Sequence, residues 1–314
     1  MGQPILRARK GNWKMGGGLN PSGDRTLGRE HNTLRDDPMS ERKKAVRDFW
    51  DTSPCGTSGL QRGKELRRFF ESIEKRRYEL EPFILDHAEF DKWRGKKILE
   101  VGCGTGTDLL QFLRAEVNAF GVDLSIHSVD LARKRLGLFG LNGRRVFVGD
   151  AEHLPFPENS FDLVYSWGVL HHTPDIARAI DEICRVLRPG GEARIMVYHR
   201  WSLVALRSYV RFGLLRGRPM RSLDDIMAVH QESPGTKVYT QAQVRQLLRR
   251  FQNIEVRAVL TPYDLSLADG RLSFTWLRRF VPQSLGFFLM ARGGKSGVGE
   301  VSPAGVPVPS FRER

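Results

Sequence analysis

Three glycines in the stretch ILEVGCGTGTDLL, Gly102, Gly104 and Gly106, are spaced GxGxG between an apolar run and an amphipathic one. Such a turn lets the backbone approach a nucleotide-type ligand closely. The neighbouring residues narrow the choice of ligand. Thr107 stands where a dinucleotide fingerprint puts its third glycine, and Glu100 lies two residues before Gly102. A carboxylate there repels a pyrophosphate and attracts an ammonium or a sulfonium. Asp123 follows Gly102 by 21 residues, in GVDLS, and suits a ribose whose two hydroxyls donate to one carboxylate. Asp150, followed by Ala151 in VFVGDAEHLPF, offers an acceptor to an adenine amino group.

These residues all stand where an apolar run stops. KKILEVG, AFGVDL, RRVFVGD, FDLVYSW and EARIMVYH read as strands. Between them TDLLQFLRA, HSVDLARKRLGLFG and DIARAIDEICRVLRPGG read as helices, the last stopped by Pro189 and Gly190. Later, TQAQVRQLLRRF reads as a helix, NIEVRAVL as a strand and SLGFFLMARG as a final strand. The alternation predicts an α/β fold: a Rossmann-like, doubly wound, seven-stranded sheet, mostly parallel, with the last-added strand antiparallel. Ligands of such sheets bind outside the carboxyl ends of the strands. Upstream, Leu66, Phe69, Phe70 and Ile73 fall at helical spacing and Pro82 opens a further turn of helix, which predicts an N-terminal helical cap.

LEVGCGTG, GVDLS, GDAEHLPFPENSFDLVYSWGVLHH and RVLRPGGEARI together resemble the class I S-adenosylmethionine (SAM)-dependent methyltransferases, in particular their broad small-molecule, type 11-like group. The resemblance is dense over about residues 96–200 and only architectural over 238–292. It implies SAM as cofactor, with Gly102, Gly104 and Gly106 against the methionine moiety and Glu100 orienting its amino end. It further implies Asp123 on the ribose and Asp150 with Ala151 at the adenine, and it adds Cys103, Leu124 and Trp167 to the cofactor's surroundings. The implied activity is methyl transfer to a small, apolar or ring-containing metabolite, at oxygen or carbon.

Methyl transfer from a sulfonium chiefly needs alignment and exclusion of water, and a general base only where the acceptor must lose a proton. His171 and His172, just after the fourth strand, and Tyr198 and His199, at the end of the fifth, are the candidate catalytic residues. Each also admits a packing role. Two adjacent histidines do not make a metal site by themselves, since zinc takes three or four ligands, and no metal is expected. Arg207 and Arg211, four apart in the insertion after the fifth strand, share one helical face, as in a lid over an apolar acceptor or a helix touching anionic lipid. Tyr78 is expected to reach towards the methionine end. Cys55 has no cation beside it in sequence to make it reactive. The HQESPGT segment with His230 is distinctive and has no role from sequence alone.

The formal charge of +14 is unevenly placed, at +5 over residues 1–48, −1 over 49–199 and +10 over 200–314. Basic ends attract nucleic acid or an anionic membrane. They keep two alternatives open: an RNA methyltransferase, and a non-catalytic SAM-binding scaffold. Against RNA, the chain has no aromatic–basic interleaving, and SWGVLHHT stands where N-methylating nucleic-acid enzymes often carry Asn/Asp-Pro-Pro-Tyr. Cys55, Cys103 and Cys184 form no CxxC, runs such as FFLMA are too short to span a bilayer, and the first residues resemble neither a signal peptide nor a myristoylation site. A cytoplasmic protein is expected, its oligomeric state left open. The expected layout is a disordered basic N-terminus (1–40), the helical cap (41–95), the methyltransferase domain (96–292) with an insertion (201–237), and a disordered tail (293–314).

Overall fold

The computed structural model describes residues 38–55, 57, 65–267 and 272–297. The expectations for residues 1–37 and 298–314 lie outside it. Its first helix begins at Pro38 and its last strand ends at Lys295.

The sheet strands are β1 (Lys97–Val101), β2 (Asn118–Asp123), β3 (Val146–Val148), β4 (Phe161–Trp167), β5 (Leu187–Tyr198), β6 (Phe251–Val259) and β7 (Phe288–Lys295). They lie in the order β3-β2-β1-β4-β5-β7-β6. The first five are mutually parallel, and β7 slots antiparallel between β5 and β6. This is the expected seven-stranded Rossmann-like sheet. Strand order reverses between β1 and β4, so a crevice opens at their carboxyl ends.

Both faces are covered. Ile98 packs with one core and its neighbour Leu99 with the other, as the two-residue period of a strand requires. α4 (Thr107–Arg114) and α5 (Ile126–Leu138) cover the first face; α6 (Ile176–Val186) and α9 (Gln241–Leu247) cover the second. In α6, Ile176, Ala179, Ile180, Ile183 and Val186 form one buried stripe, each isoleucine contributing about 1.5–3 kcal/mol. Asp175 caps this helix by accepting from the Arg178 N–H at 3.0 Å.

Two expectations need correction. α6 stops at Val186, before Pro189 and Gly190, and Leu187–Gly191 already belong to β5. Pro189 disfavours helical backbone at Arg188, while Leu187 pairs with Phe161 of β4. The insertion is also more helical than the single face carrying Arg207 and Arg211 implied. It contains α7 (Leu203–Phe212) and α8 (Leu223–His230), whose caps Ser202 and Ser222 accept from the N–H groups of Ala205 and Asp225.

The cap consists of α1 (Pro38–Thr52), α2 (Leu66–Leu80) and α3 (Phe83–Ala88). Phe69, Phe70 and Ile73 of α2 bury against Leu131 of α5. Arg135 of α5, fully buried, donates to the carbonyls of Phe70 and Thr105 and so joins cap to glycine turn. Burial pushes its guanidinium down to about 10. No helix among the described residues is long and apolar enough to cross a membrane.

Candidate active site

The glycine turn closes β1 onto β2. The N–H groups of Gly102 and Cys103 both donate to the Val122 carbonyl, at 2.7 and 3.1 Å. Gly102 has φ +76°, and a Cβ there would lie 2.1 Å from the Val169 side chain, so no other residue fits. Asp123 accepts from the Gly104 N–H at 2.8 Å on one carboxylate oxygen and from the Ser125 N–H at 2.9 Å on the other. Each oxygen keeps acceptor capacity for a further donor. Burial raises its carboxyl, opposed by these backbone bonds and by one from Leu124. Cys103 is buried, and burial pushes its thiol well up, so it packs rather than reacts.

Glu100 is 3% exposed, and its Oε2 has no hydrogen-bond partner among the described residues. Burial, then the negative charge of Asp108, drives its carboxyl well above the usual range. An orphaned buried acceptor of this kind calls for a cationic donor. The amino end of SAM is such a donor, and the residues present fit that cofactor.

Sequence reasoning missed Asp108 and singled out only Tyr78 among its partners. Asp108, in the first turn of α4, is 1% exposed and accepts from Arg77 Nε at 2.9 Å and Arg77 Nη2 at 2.6 Å. Two hydroxyls join it, Tyr78 at 2.9 Å and Tyr165 at 3.0 Å. Tyr78 thus meets the first turn of α4 through Asp108. The only sequence signal was an acid in a helix's first turn.

α1 crosses the ends of three strands. Asp51 accepts from the Ser125 hydroxyl at 2.6 Å, beyond β2. Lys43 pairs with Asp150 at 2.7 Å and with Glu152, beyond β3. Trp50 meets the His172 ring edge-on at 5.3 Å, beyond β4. Partial burial works against Asp150 ionising, yet the Lys43 and Glu152 hydrogen bonds and the Lys43 charge hold its carboxyl below the usual value. Ala151 beside it is half-buried against the second core.

Beyond β4, Trp167 is buried and its indole N–H donates to Glu81 at 2.9 Å. The Tyr263 hydroxyl donates to the other oxygen of Glu81 at 3.1 Å. Burial lifts the Glu81 carboxyl, with Arg77 opposing. His171 and His172 sit on a 3-10 turn, Leu170–His172, both buried. The His171 ring lies 3.8 Å from that of Tyr198, and neither of its nitrogens has a hydrogen-bond partner among the described residues. Burial, then His172, depresses its basicity well below the usual histidine value.

The HQESPGT segment wraps His172. Ser233 Oγ and Thr236 Oγ1 lie 2.8 and 3.1 Å from its Nδ1, and Glu232 Oε2 lies 3.4 Å from its Nε2. Tyr198 donates to the same Glu232 oxygen at 2.7 Å. Donor atoms of His171, His172 and Glu232 all lie within 4.8 Å of one another, so the histidine pair gains the third ligand-type group that the sequence did not reveal. His199 takes no part, its Nδ1 lying 3.0 Å from the Gly286 carbonyl. Cys55 is exposed as a residue, but burial pushes its thiol up to about 12, even with Arg77 brought near by the fold.

A mostly parallel sheet with this strand order, a glycine turn at its switch point and a carboxylate at the next strand end together define a nucleoside-binding α/β domain. Residues 99–195 match the model of the methyltransferase domain family. It is 38% identical over 99 residues to 27-O-demethylrifamycin SV methyltransferase of Amycolatopsis mediterranei, covering 31% of this chain and 36% of that protein. It is 26% identical over 242 residues to demethylmenaquinone methyltransferase of Geobacillus stearothermophilus, covering 68% and 99%. The chain spans only about a third to just over a half of the first curated relatives it matches. Geranyl diphosphate C-methyltransferase of Streptomyces coelicolor shares the fold, at TM-score 0.53 and 16% identity over 83% of this chain and 99% of that one.

Proposed function

We propose that this protein methylates a small, apolar or ring-containing metabolite with SAM, at oxygen or carbon. One observation carries the reading: buried Glu100, whose Oε2 has no partner among the described residues, stands at the glycine turn next to a carboxylate, Asp123, that the backbone holds in place. Bound there, SAM supplies a methyl group on an already electrophilic sulfonium. Glu100 takes the amino end, Asp123 the ribose, and Asp150 with Ala151 the adenine side, where α1 shields the site from water. Trp167, Tyr198 and Tyr263 give the acceptor side aromatic walls. The His171–His172 pair and Glu232 hold an acceptor oxygen and draw off its proton, while His199 serves packing. The names of relatives that specify 27-O-demethylrifamycin SV and demethylmenaquinone as acceptors support a small-molecule substrate.

The insertion favours an acceptor met at a lipid surface. Trp201, Leu215 and Met220 are 62%, 79% and 95% exposed, within a segment that also carries Arg211, Arg216, Arg218 and Arg221. Apolar side chains among arginines suit peripheral contact with anionic lipid. Arg207 has another task, donating to the carbonyls of Tyr263 and Ser266. A cytoplasmic location goes with this reading, the three cysteines being free thiols.

The test is transfer of labelled methyl from SAM into fractionated cell extract. Label in the organic-soluble fraction is expected. Label only in RNA overturns the proposal in favour of an RNA methyltransferase, and SAM binding without any labelled product favours a scaffold.

A further inference from the structure

The HQESPGT segment has a strained backbone at the residue that completes the histidine cluster. Glu232 has φ +27°, a conformation unusual for a residue with a side chain. Such strain persists where the surroundings enforce it. Here it brings the Glu232 carboxylate to His172, and the next residues, Ser233 and Thr236, hold the far nitrogen of the same ring. His171 adds a second imidazole, fully buried, with both nitrogens unpartnered among the described residues. A buried imidazole without a hydrogen bond is costly unless another ligand satisfies it.

We propose that His171, His172 and Glu232 form a binding site for a divalent first-row transition metal of the Zn²⁺ type. Two neutral imidazoles and one carboxylate are the donor set of catalytic zinc sites that keep one position open. The 3.4 Å between His172 Nε2 and Glu232 Oε2 is the edge of a tetrahedron, for bonds of about 2.1 Å. The wider spread, up to 4.8 Å, closes by a modest turn of the His171 ring or the Glu232 side chain. Ser233 and Thr236 fix the His172 ring through its other nitrogen, as outer-shell partners of metal-bound histidines do. Glu232 is the half-exposed member, with 42% of its side chain accessible, and gives the ion a way in. With the ion bound, the open position would accept an oxygen of the acceptor and favour loss of its proton to water entering beside half-exposed Glu232, in place of direct transfer to the liganded side chains. That use rests on the methyl-transfer reading, whereas metal binding does not.

The experiment is a Co²⁺ titration of the full chain, freed of any affinity tag and without SAM, followed by the visible d–d absorption of the ion. One equivalent, displaced by Zn²⁺, is expected. His171→Asn and Glu232→Gln should each abolish the band or weaken binding by more than tenfold, and Ser233→Ala should weaken it about tenfold. His230→Phe alters a ring stacked on Phe212 at 3.9 Å and should leave the titration unchanged. SAM calorimetry on each variant checks that the domain is folded. A parent protein with no d–d band, or a band that survives both His171→Asn and Glu232→Gln in folded protein, overturns the site. A retained band with no methyl transfer to any extract leaves the site standing and removes the methyl-transfer reading.

Discussion

The Trp167 indole N–H donates to the Glu81 carboxylate across 2.9 Å, joining the end of β4 to the turn before α3. Tyr263 uses the other oxygen, so one carboxyl satisfies two donors that are distant in sequence. Glu81→Ala leaves an indole and a phenol without an acceptor. A loss of about 2 kcal/mol or more is expected, with a smaller loss for Glu81→Gln, which keeps one acceptor. Urea denaturation measures both. A Glu81→Ala stability within about 0.5 kcal/mol of the parent would mean that water replaces the carboxylate.

Asp123 receives the Gly104 N–H on one oxygen and the Ser125 N–H on the other, and the proposed function gives it the ribose as well. Asp123→Ala is expected to weaken SAM binding by about 1.5–3 kcal/mol, the worth of a charged hydrogen bond. Calorimetry reads this directly. Unchanged affinity removes the ribose assignment.

Lys43 secures α1 over the cleft through Asp150 and Glu152. Lys43→Met should speed amide exchange across residues 38–52 and shorten the lifetime of bound SAM. The ion pair also has a defined pH window. The Asp150 carboxyl is held below the ordinary 3.8, so its contribution is complete above that value and lost as pH falls through the lower, folded one. Although burial opposes it, hydrogen bonds to Asp150 and Glu152 raise the Lys43 ammonium above 10.5, so its contribution is complete below 10.5 and lost as pH rises through the folded value. The stability gap between parent and Lys43→Met should therefore be flat between these limits and close outside them. A gap that varies through neutral pH would assign the effect to other groups.

The sheet and the strand ends that carry Gly102 and Asp123 were legible because their signals are local. A glycine at φ +76°, an apolar strand and an acid at the next strand end all fall within short windows. What was not legible depends on distant pairing. Glu81 meets Trp167 86 residues on, Asp108 meets Tyr165 57 residues on, and Tyr198 meets Glu232 34 residues on. Glu232 was hidden further by its place in a segment whose purpose appears only once it is folded against His172. The end of α6 was missed for another reason: pairing of Leu187 with Phe161 claims residues that the helical pattern also suits.

His87 gives the acid limb of stability a separate cause. It lies on α3, 6% exposed, with the Trp167 ring 5.6 Å away and Arg194 donating to its carbonyl at 2.5 Å. Burial, then the positive charge of Arg194, lowers its imidazole from 6.5 to about 3. Below pH 6.5 the unfolded chain takes up a proton that the folded chain refuses. Stability is therefore full above 6.5 and declines by about 1.4 kcal/mol per pH unit as pH falls, until the folded imidazole itself charges near 3. His87→Gln, close in size and uncharged throughout, should make the decline between pH 6 and pH 4 shallower by about one proton. Urea unfolding across that range, compared with the parent, gives the proton count. Equal slopes would show that the folded protein accommodates a charged His87, against the burial that surrounds it.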